Sequence, residues 1–352
     1  MNPTRPTRPI DRKLRVLVVD DSLFMRAAIA RLLTDDGRFE VIGQAKDGEE
    51  AVARAVQLGP DVITMDFNMP RLNGAEAVRE IMTRRPTPVI MFSAHTRQGA
   101  RETFEALSAG AVDFVSKPAG EVSADLRAIA DELVAKLMGA AGATPQALAP
   151  LRQAKPARPA FLTTWPPAGP RILVVAVSTG GPSALQRLIP ALPADTRFSA
   201  LIVQHMPANF TTTLAERLNA LSAVTVREAR DGDRPIAGVV YVAPGDRHLE
   251  VSDRGFLRLG DGPPVNGCRP SADVTMAGAA RAFGSRAIGL VMTGMGRDGT
   301  AGLAAIKQAE GITLAQDQAS SVIFGMPKAA IDAGVVDEVL PLDRIARRLQ
   351  DL

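Results

Sequence analysis

Short apolar runs alternate with stretches of helical periodicity from Leu14 to about Met138. The runs are typical of buried strands and comprise RVLVV, FEVIG, DVITM, PVIMF and VDFV. Each is followed by a stretch whose apolar residues recur every three or four positions, as on one face of a helix. Strict alternation of strands and helices favours a parallel sheet that is covered on both faces. The pattern predicts a doubly wound α/β domain over residues 14–138.

A second series of strands and helices begins at Arg171 and fills the rest of the chain. Its strand segments are RILVVAV, SALIVQH, VVYVA, AIGLVMT and ITLAQ, and a hairpin with a turn at Asp253–Gly255 is predicted within HLEVSDRGFLRL. Residues 139–170 hold seven proline residues and no acidic residue and show no periodicity, which predicts a flexible linker. Residues 1–13 are predicted to be a disordered tail. We expect two α/β domains, 14–138 and 171–352, joined by a flexible linker.

Composition and charge narrow the class of protein. The chain has 352 residues, of which 46% are apolar and 22% are charged, as in folded soluble domains. The net charge is +3, but the predicted tail and linker carry +3 each, so the rest of the chain is net −3. A nucleic-acid binder needs a basic folded face, so nucleic acid is not an expected partner. No apolar run is long enough for a membrane helix, and the segment MNPTRPTRP at the start lacks the apolar core that a secretory signal contains. We therefore expect a cytoplasmic protein that does not insert into membranes.

Cys268 is the one cysteine of the chain. A single thiol excludes an internal disulfide and a cysteine-based metal cage, as expected in a reducing compartment. A free cysteine is ordinarily a small residue of the core, and we predict that position for Cys268.

Five polar side chains are predicted at the carboxyl ends of strands in the first domain, where ligands of open parallel sheets bind. They are Asp20, Asp21, Asp66, Ser93 and Lys117. Three carboxylates repel one another unless a cation lies among them, and oxygen ligands suit Mg²⁺. A carboxylate beside such an ion, with a lysine and a hydroxyl nearby, is suited to accept a phosphoryl group. Each residue alone has a simpler role, as a helix cap or an ion pair, but the five together favour a site.

These segments resemble the receiver domain of two-component response regulators over essentially all of residues 14–138, in VVDDS, MDFNMPRLNG, MFSA and VSKP. The resemblance implies a flavodoxin-type fold that is phosphorylated on Asp66. It implies that the ligands of Mg²⁺ are Asp20, Asp21, Asp66 and the backbone carbonyl of Asn68. It further implies a phosphate contact by Lys117, with Ser93 and Phe114 as the hydroxyl and aromatic switch residues.

The first strand of the second domain leads directly into the turn STGGP at residues 178–182 and then into a helix. Glycine lets backbone N–H groups face inward, and a helix N-terminus adds positive potential, so the turn suits either an oxyanion or a phosphate. The sequence matches neither G-x-S-x-G nor G-x-G-x-x-G. The turn alone therefore leaves an acyl-transfer site and a phosphate-binding site open.

His205 and Asp298 follow two other strands of the second domain. A nucleophile, a base and an orienting acid on three strand exits form the arrangement of serine-dependent acyl transfer. Alone, His205 is consistent with a strand-end histidine bonded to backbone, and Asp298 with a turn or helix cap. Of the other histidines, His95 lies in the first domain, and His248 opens the predicted hairpin, where a rim or capping role is expected. We predict that Ser178, His205 and Asp298 form a catalytic triad.

Residues 170–350 resemble the catalytic domain of the chemotaxis protein-glutamate methylesterases, the CheB family. The matching segments are VSTGGPSAL, VQHMP, YVAPGDRHLE, CRPSADV, MTGMGRDG and QDQASSVIFGMPKAAI. The resemblance implies a Rossmann-like domain without a cofactor, in which Ser178 is the nucleophile, His205 the base and Asp298 its partner. Thr179 and Met295 match positions that line the site, and the Met295 amide is a candidate oxyanion donor.

The family reaction is hydrolysis of glutamate γ-methyl esters on the cytoplasmic helices of methyl-accepting chemoreceptors, with deamidation of receptor glutamines as a second activity. The resemblance implies a chemotaxis histidine kinase as phosphodonor. It also implies a receiver that covers the catalytic cleft until it is phosphorylated, in the service of chemosensory adaptation. We expect a monomer. The alternative is a non-enzymatic response regulator whose second domain binds a nucleotide or a partner through the STGG turn.

Overall fold

The structure is a computed structural model that describes residues 12–94, 96–117, 126–143 and 171–352. The chain divides into two compact units between residues 150 and 151, and each unit is described by itself. Apart from Arg12 and Lys13, the predicted tail lies outside the described residues, as does the predicted linker from residue 144 onward.

The first unit is a parallel sheet of five strands with a helix after each strand. The strands are β1 Leu14–Val19, β2 Phe39–Ala45, β3 Val62–Asp66, β4 Val89–Ala94 and β5 Asp113–Lys117. The helices are α1 Leu23–Asp36, α2 Gly48–Leu58, α3 Gly74–Arg84, α4 Arg97–Ala109 and α5 Leu126–Ala140. The strand order is β2-β1-β3-β4-β5, and each pairing is parallel. The predicted doubly wound domain is confirmed.

Side-chain caps mark where four of these helices, α1 to α4, begin. At the start of α1, the Ser22 hydroxyl accepts a hydrogen bond from the Met25 amide, and the Ser22 amide donates to Asp20 Oδ1 at 2.9 Å. At the start of α3, Asn73 and Glu76 each accept from the other's amide at 2.9 Å, which is a capping box. The cap of α1 therefore also orients a carboxylate at the end of β1.

The second unit contains a larger parallel sheet and a separate hairpin. Its strands are β6 Arg171–Val177, β7 Phe198–Gln204, β8 Thr225–Glu228, β9 Val239–Val242, β10 His248–Val251, β11 Leu257–Gly260, β12 Ala287–Val291, β13 Ile312–Gln316 and β14 Glu338–Leu340. Its helices are α6 Gly181–Leu188, α7 Ala208–Leu221, α8 Ala272–Phe283, α9 Thr300–Gln308, α10 Met326–Asp332 and α11 Leu342–Gln350. The sheet order is β14-β13-β12-β6-β7-β9-β8, and β10 pairs with β11 as an antiparallel hairpin. The second predicted α/β domain and its hairpin are confirmed.

Two strands of the larger sheet, β8 and β14, were not predicted from the sequence. They have the sequences TVRE and EVL, so neither forms an apolar run. Both lie at the edges of the sheet, where a strand pairs on one side only and charged side chains are common. No helix in the described ranges combines the length and the apolar character that a membrane span requires.

Each sheet has a strand from which the chain winds in both directions. In the first unit β1 lies between β2 and β3, and in the second β6 lies between β12 and β7. The connections diverge there to opposite faces and leave a crevice at the carboxyl ends of the strands. Both sets of predicted site residues start from these strand ends.

The capping box of α3 gives a stability prediction. Replacement of Asn73 by Ala should lower the free energy of unfolding of the first unit by about 1 kcal/mol, because the Glu76 amide loses its acceptor. Urea unfolding followed by circular dichroism measures the loss. Thr83→Ala, at an exposed position of the same helix, is the matched control and should not lower the free energy of unfolding by more than about 0.5 kcal/mol, because alanine favours the helix. An equal loss in the two variants would contradict the capping role.

Candidate functional site

Ser178 and His205 leave the second sheet side by side. Strands β6 and β7 pair with Val177 opposite Gln204 at their carboxyl ends, and the next residues are Ser178 and His205. The His205 amide donates to the Val177 carbonyl at 3.2 Å. The side-chain amide of Gln204 donates to the carbonyls of Ser178 at 3.1 Å and of His205 at 3.3 Å. The two predicted residues are therefore held at neighbouring strand ends.

Asp298 reaches His205 from the loop that follows β12. Its Oδ2 atom lies 2.8 Å from Nε2 of the imidazole. The side chain of Asp298 is 2% exposed and that of His205 is 13% exposed, so water competes little for this bond. A ring nitrogen that faces a carboxylate carries a proton, which leaves Nδ1 as the basic nitrogen of the neutral ring.

The carboxylate of Asp298 is bound by the N-terminus of α8. Oδ2 accepts from the Ala272 amide at 2.6 Å, and Oδ1 accepts from the Ser271 hydroxyl at 2.6 Å and from the Asp273 amide at 3.2 Å. Amides in the first turn of a helix have no partner within the helix and carry partial positive charge. They replace the water that a buried carboxylate loses, so Asp298 remains ionised.

Asp273 makes the reciprocal contact from α8 to the start of α9. Its Oδ1 atom accepts from the amides of Gly299 at 2.9 Å and Gly302 at 2.7 Å. The amides at the start of α8 therefore bind the carboxylate of Asp298, which lies just before α9, and the amides at the start of α9 bind the carboxylate of Asp273 in α8. These reciprocal contacts fix Asp298 relative to α8. Asp273 and Ser271 were not predicted as site residues from the sequence. The available signal was the sequence SAD before an apolar helical stretch, which is typical of a helix N-terminus.

The contacts within the pair change both pKa values. Burial raises the pKa of Asp298, but hydrogen bonds from His205, Ser271 and the Ala272 amide outweigh burial and lower that pKa to about 2. Burial lowers the pKa of His205, but its contacts with Asp298 and Cys268 outweigh burial and raise that pKa to about 9. The imidazole is therefore a stronger base than an ordinary histidine side chain, and it is neutral mainly above about pH 9.

Ser178 lies in a tightly constrained turn. Its amide donates to the Thr293 carbonyl at 3.0 Å. Gly180 has a φ of +77°, and a Cβ atom at that position would lie 2.6 Å from the Cβ atom of Val322, so the turn requires glycine. Among the described residues the Ser178 hydroxyl forms no hydrogen bond, to His205 or to any other group. The structure thus joins His205 to Asp298 and places Ser178 on the adjoining strand end, without a bond between the hydroxyl and the imidazole.

Thr179 and Met295 occupy different positions around Ser178. Thr179 is buried, and its carbonyl accepts from the Thr293 hydroxyl at 2.9 Å. Met295 is 46% exposed, and its amide donates no hydrogen bond within the described ranges. The preceding residue, Gly294, lies so close that a Cβ atom there would be 2.8 Å from the Cβ atom of Ser178. The unengaged Met295 amide therefore belongs to the residue that directly follows the glycine packed against Ser178.

Cys268 is not a core residue, and the prediction for it is wrong. The residue is partly exposed, and its Sγ atom lies 3.7 Å from Nδ1 of His205. Asn266 and Gly267 both have positive φ angles and form a tight turn that places the thiol in a loop. An Asn-Gly pair is a strong sequence signal for such a turn, and it was the signal that could have placed Cys268 correctly.

The other two histidines do not enter the triad. His248 is 2% exposed, its Nδ1 accepts from the Ser271 amide at 3.3 Å, and its Nε2 lies 3.0 Å from the Pro263 carbonyl. It caps the start of α8, which is one of the two roles expected for it. His95 lies outside the described residues.

The carboxylates predicted in the first unit gather around Lys117. The Nζ atom lies 2.9 Å from Asp66 Oδ1 and 3.2 Å from Asp20 Oδ2. Asp20, Asp21 and Asp66 offer carboxylate oxygens that lie within 4.8 Å of one another. Asp21, Asp66, Asn68 and Lys117 line a cavity of about 200 Å³.

The two predicted switch residues of the first unit point elsewhere. Ser93 lines the same cavity, but its hydroxyl donates to the Gly99 carbonyl at 2.9 Å and accepts from the Thr103 hydroxyl at 2.6 Å. Phe114 is buried within β5, and Lys136 Nζ lies 5.1 Å from the centre of its ring. The structure therefore brings the carboxylates and the lysine together and leaves the Ser93 hydroxyl and the Phe114 ring out of that cluster.

The charges of the carboxylate cluster suit a divalent cation. Burial and the neighbouring Asp20 raise the pKa of Asp66 to about 6, against the opposing charge of Lys117. One ammonium group thus does not compensate the three carboxylates. Closely spaced carboxylate oxygens with an open cavity beside them are the ligands that Mg²⁺ prefers, so the residues present fit this ion.

Comparisons with known proteins match both units. The family model for the response regulator receiver domain matches residues 16–129, and that for CheB methylesterase matches residues 173–349. A relative from Symbiobacterium thermophilum, named protein-glutamate methylesterase/protein-glutamine glutaminase, is 46% identical over 348 residues, which cover 96% of each chain. A relative of the same name from Thermotoga maritima is 44% identical over 97% of this chain and 99% of its own.

A solved structure matches the second unit. The crystal structure of the Thermotoga maritima CheB methylesterase catalytic domain is 41% identical, with a TM-score of 0.51, and the match covers 52% of this chain and 98% of that one. The family resemblance in the sequence motifs is therefore confirmed. The chain belongs to the CheB methylesterase family and carries a response regulator receiver domain ahead of its methylesterase domain.

Proposed function

We propose that the protein hydrolyses glutamate γ-methyl esters on the cytoplasmic helices of methyl-accepting chemoreceptors and deamidates selected receptor glutamines. Relatives at 44% and 46% identity are named for these two activities. The observation that carries the proposal is the 2.8 Å contact between His205 and Asp298 beside Ser178. A buried carboxylate that orients an imidazole next to a serine is the arrangement of acyl transfer.

The proposed reaction proceeds through an acyl-enzyme. Ser178 Oγ attacks the ester carbonyl and its proton passes to Nδ1 of His205, while the Met295 amide faces the developing oxyanion. The bond to the methoxy group then breaks, and methanol leaves with the proton from His205. Water repeats the sequence and releases the glutamate carboxyl group and free Ser178. The bond between Ser178 and Nδ1 forms on substrate binding, because catalytic hydrogen bonds often tighten only in the Michaelis complex.

The alternative function is a non-enzymatic module that binds a nucleotide, through its phosphate, or a partner at the STGG turn. Such a module has no use for a buried carboxylate that raises the proton affinity of His205. The Gly181 amide, at the start of α6, donates to the Ser178 carbonyl at 2.7 Å and is not available to a phosphate. These two contacts favour ester hydrolysis.

The first unit is proposed to regulate hydrolysis through phosphorylation of Asp66 by a chemotaxis histidine kinase. The residues that would hold Mg²⁺ are Asp20, Asp21, Asp66 and the carbonyl of Asn68, and this ion, when bound, neutralises charge on the phosphoryl group. Lys117, already in contact with Asp66, binds a phosphate oxygen, and the Ser93 hydroxyl leaves the Gly99 carbonyl for another. The receiver would then shift between states that cover and uncover the catalytic cleft.

The nucleophile assignment predicts the effect of a serine substitution. Ser178→Ala should lower methyl-ester hydrolysis roughly 10⁴-fold or more, because the attacking oxygen is lost. Methanol release from methylated receptor measures the rate. Ser183→Ala, five positions along in α6, is the matched control and should hydrolyse the ester near the parent rate. Near-normal turnover by Ser178→Ala would show that the nucleophile lies elsewhere.

The pKa of His205 predicts a pH dependence. Because the base must be neutral and its pKa is raised to about 9, kcat/KM should rise with pH through that region rather than near 6.5. Asp298→Asn removes the carboxylate that stabilises the charged ring, so its midpoint should move to lower pH. Proton NMR can follow the imidazole directly, since the chain has three histidines. An unchanged His205 midpoint in Asp298→Asn would contradict the pairing.

The phosphoacceptor assignment predicts a loss of regulation. A small phosphodonor with Mg²⁺ should raise the hydrolysis rate of the full-length protein, and Asp66→Asn should abolish the increase because the acceptor oxygen is lost. Asp61→Asn, just before the opposite end of β3, is the control and should keep the response. Acid-labile phosphate on Asp66→Asn would refute the assignment.

A further inference from the structure

The one thiol of the chain, that of Cys268, lies next to the ring nitrogen of His205 that does not contact Asp298. Cys268 Sγ lies 3.7 Å from Nδ1, and the possible ligand atoms of Cys268, His205 and Asp298 all lie within 4.8 Å of one another. The thiol is partly exposed, so ions in solvent can reach it. In the proposed hydrolysis this sulfur forms no bond to substrate and transfers no proton.

The distance between the sulfur and the nitrogen matches two ligands of one tetrahedral zinc ion. A zinc–sulfur bond of about 2.3 Å and a zinc–nitrogen bond of about 2.0 Å place the two ligand atoms about 3.5 Å apart at a tetrahedral angle. The observed 3.7 Å requires almost no movement of either side chain. Two backbone hydrogen bonds between Cys268 and Val265, of 2.9 and 3.0 Å, hold the loop in place.

Asp298 occupies the position of the outer carboxylate in zinc–histidine sites. In such sites a carboxylate accepts from the ring nitrogen that does not bind metal, which orients the ring and makes it a stronger ligand. The 2.8 Å contact with Nε2 does this here. Both oxygens of Asp298 already accept hydrogen bonds from the start of α8, so Asp298 orients the ring and does not bind the ion. One sulfur and one nitrogen leave two tetrahedral positions for solvent.

We propose that Zn²⁺, or a divalent cation of similar softness, binds between Cys268 Sγ and His205 Nδ1 and reversibly inhibits the enzyme. On binding, the thiol loses its proton and donates as a thiolate, and a protonated imidazole loses the proton on Nδ1 to solvent and donates through that nitrogen as the neutral ring. Inhibition rests on the proposed function, because Nδ1 is the nitrogen that takes the proton of Ser178. Mg²⁺ prefers oxygen ligands and does not compete at this site.

Cobalt binding tests the site independently of hydrolysis. Titration of Co²⁺ into the full-length protein should produce a thiolate-to-cobalt charge-transfer absorption in the near ultraviolet. Cys268 is the one cysteine of the chain, so this absorption has a single possible origin. Ser178→Ala should retain the band and Cys268→Ala should lose it. Absence of the band in the parent protein would overturn the proposal.

Zinc inhibition tests the consequence. Zn²⁺ should inhibit ester hydrolysis by the full-length protein, and a chelator should restore the rate. Cys268→Ala should hydrolyse the ester in the absence of zinc and require about tenfold more Zn²⁺, or more, for half inhibition. Asp66→Asn, which alters the carboxylate cluster of the receiver, should remain as sensitive to zinc as the parent. Equal zinc sensitivity of Cys268→Ala and the parent would contradict the site.

The two proposals fail in different ways. If Ser178→Ala hydrolyses the ester like the parent, the proposed nucleophile is wrong, and the cobalt band still decides the metal site. If hydrolysis depends on Ser178 and the parent gives no thiolate band, the metal site alone is wrong.

Discussion

The contact between Asp298 and His205 depends on a carboxylate that stays ionised although it is buried. Removal of a carboxylate from water costs several kcal/mol unless hydrogen-bond donors replace the water. The first turn of α8 and the Ser271 hydroxyl supply those donors. Asp273 returns two acceptor contacts to the start of α9. The orientation of the imidazole therefore follows from the way two helices begin, and the loop that carries Asp298 need not be rigid by itself.

In both units the site lies at the carboxyl ends of the strands of a parallel sheet, but the pKa of the central carboxylate shifts in opposite directions in the two sites. In the second unit, helix amides lower the pKa of Asp298 to about 2 and the resulting charge raises the proton affinity of His205. In the first unit, burial and a second carboxylate raise the pKa of Asp66 to about 6 in spite of Lys117. The arrangement in the second unit holds a base in one orientation. The arrangement in the first unit leaves negative charge that a cation can neutralise, beside a carboxylate that can accept a phosphoryl group.

Much of the fold follows from local patterns, each of which can be read within a short stretch of the sequence. Apolar runs mark the central strands, and polar residues at the ends of these runs mark the carboxyl ends of the strands, where Ser178, His205 and Asp66 lie. The edge strands β8 and β14 were not predicted because pairing on one side requires no apolar run. Ser271 and Asp273 were missed because their role comes from a contact with a loop 25 or more residues away. Cys268 was misplaced because composition describes the usual environment of a thiol, whereas the Asn-Gly turn determines the actual one.

The central claim, that the His205–Asp298 pair activates Ser178, is tested most directly by covalent labelling with a serine-directed fluorophosphonate followed by mapping of the label by mass spectrometry. The label should appear on Ser178, and the labelling rate should fall by orders of magnitude in His205→Gln, because the hydroxyl loses its base. Labelling at another serine, or labelling of Ser178 at the parent rate in His205→Gln, would contradict the claim.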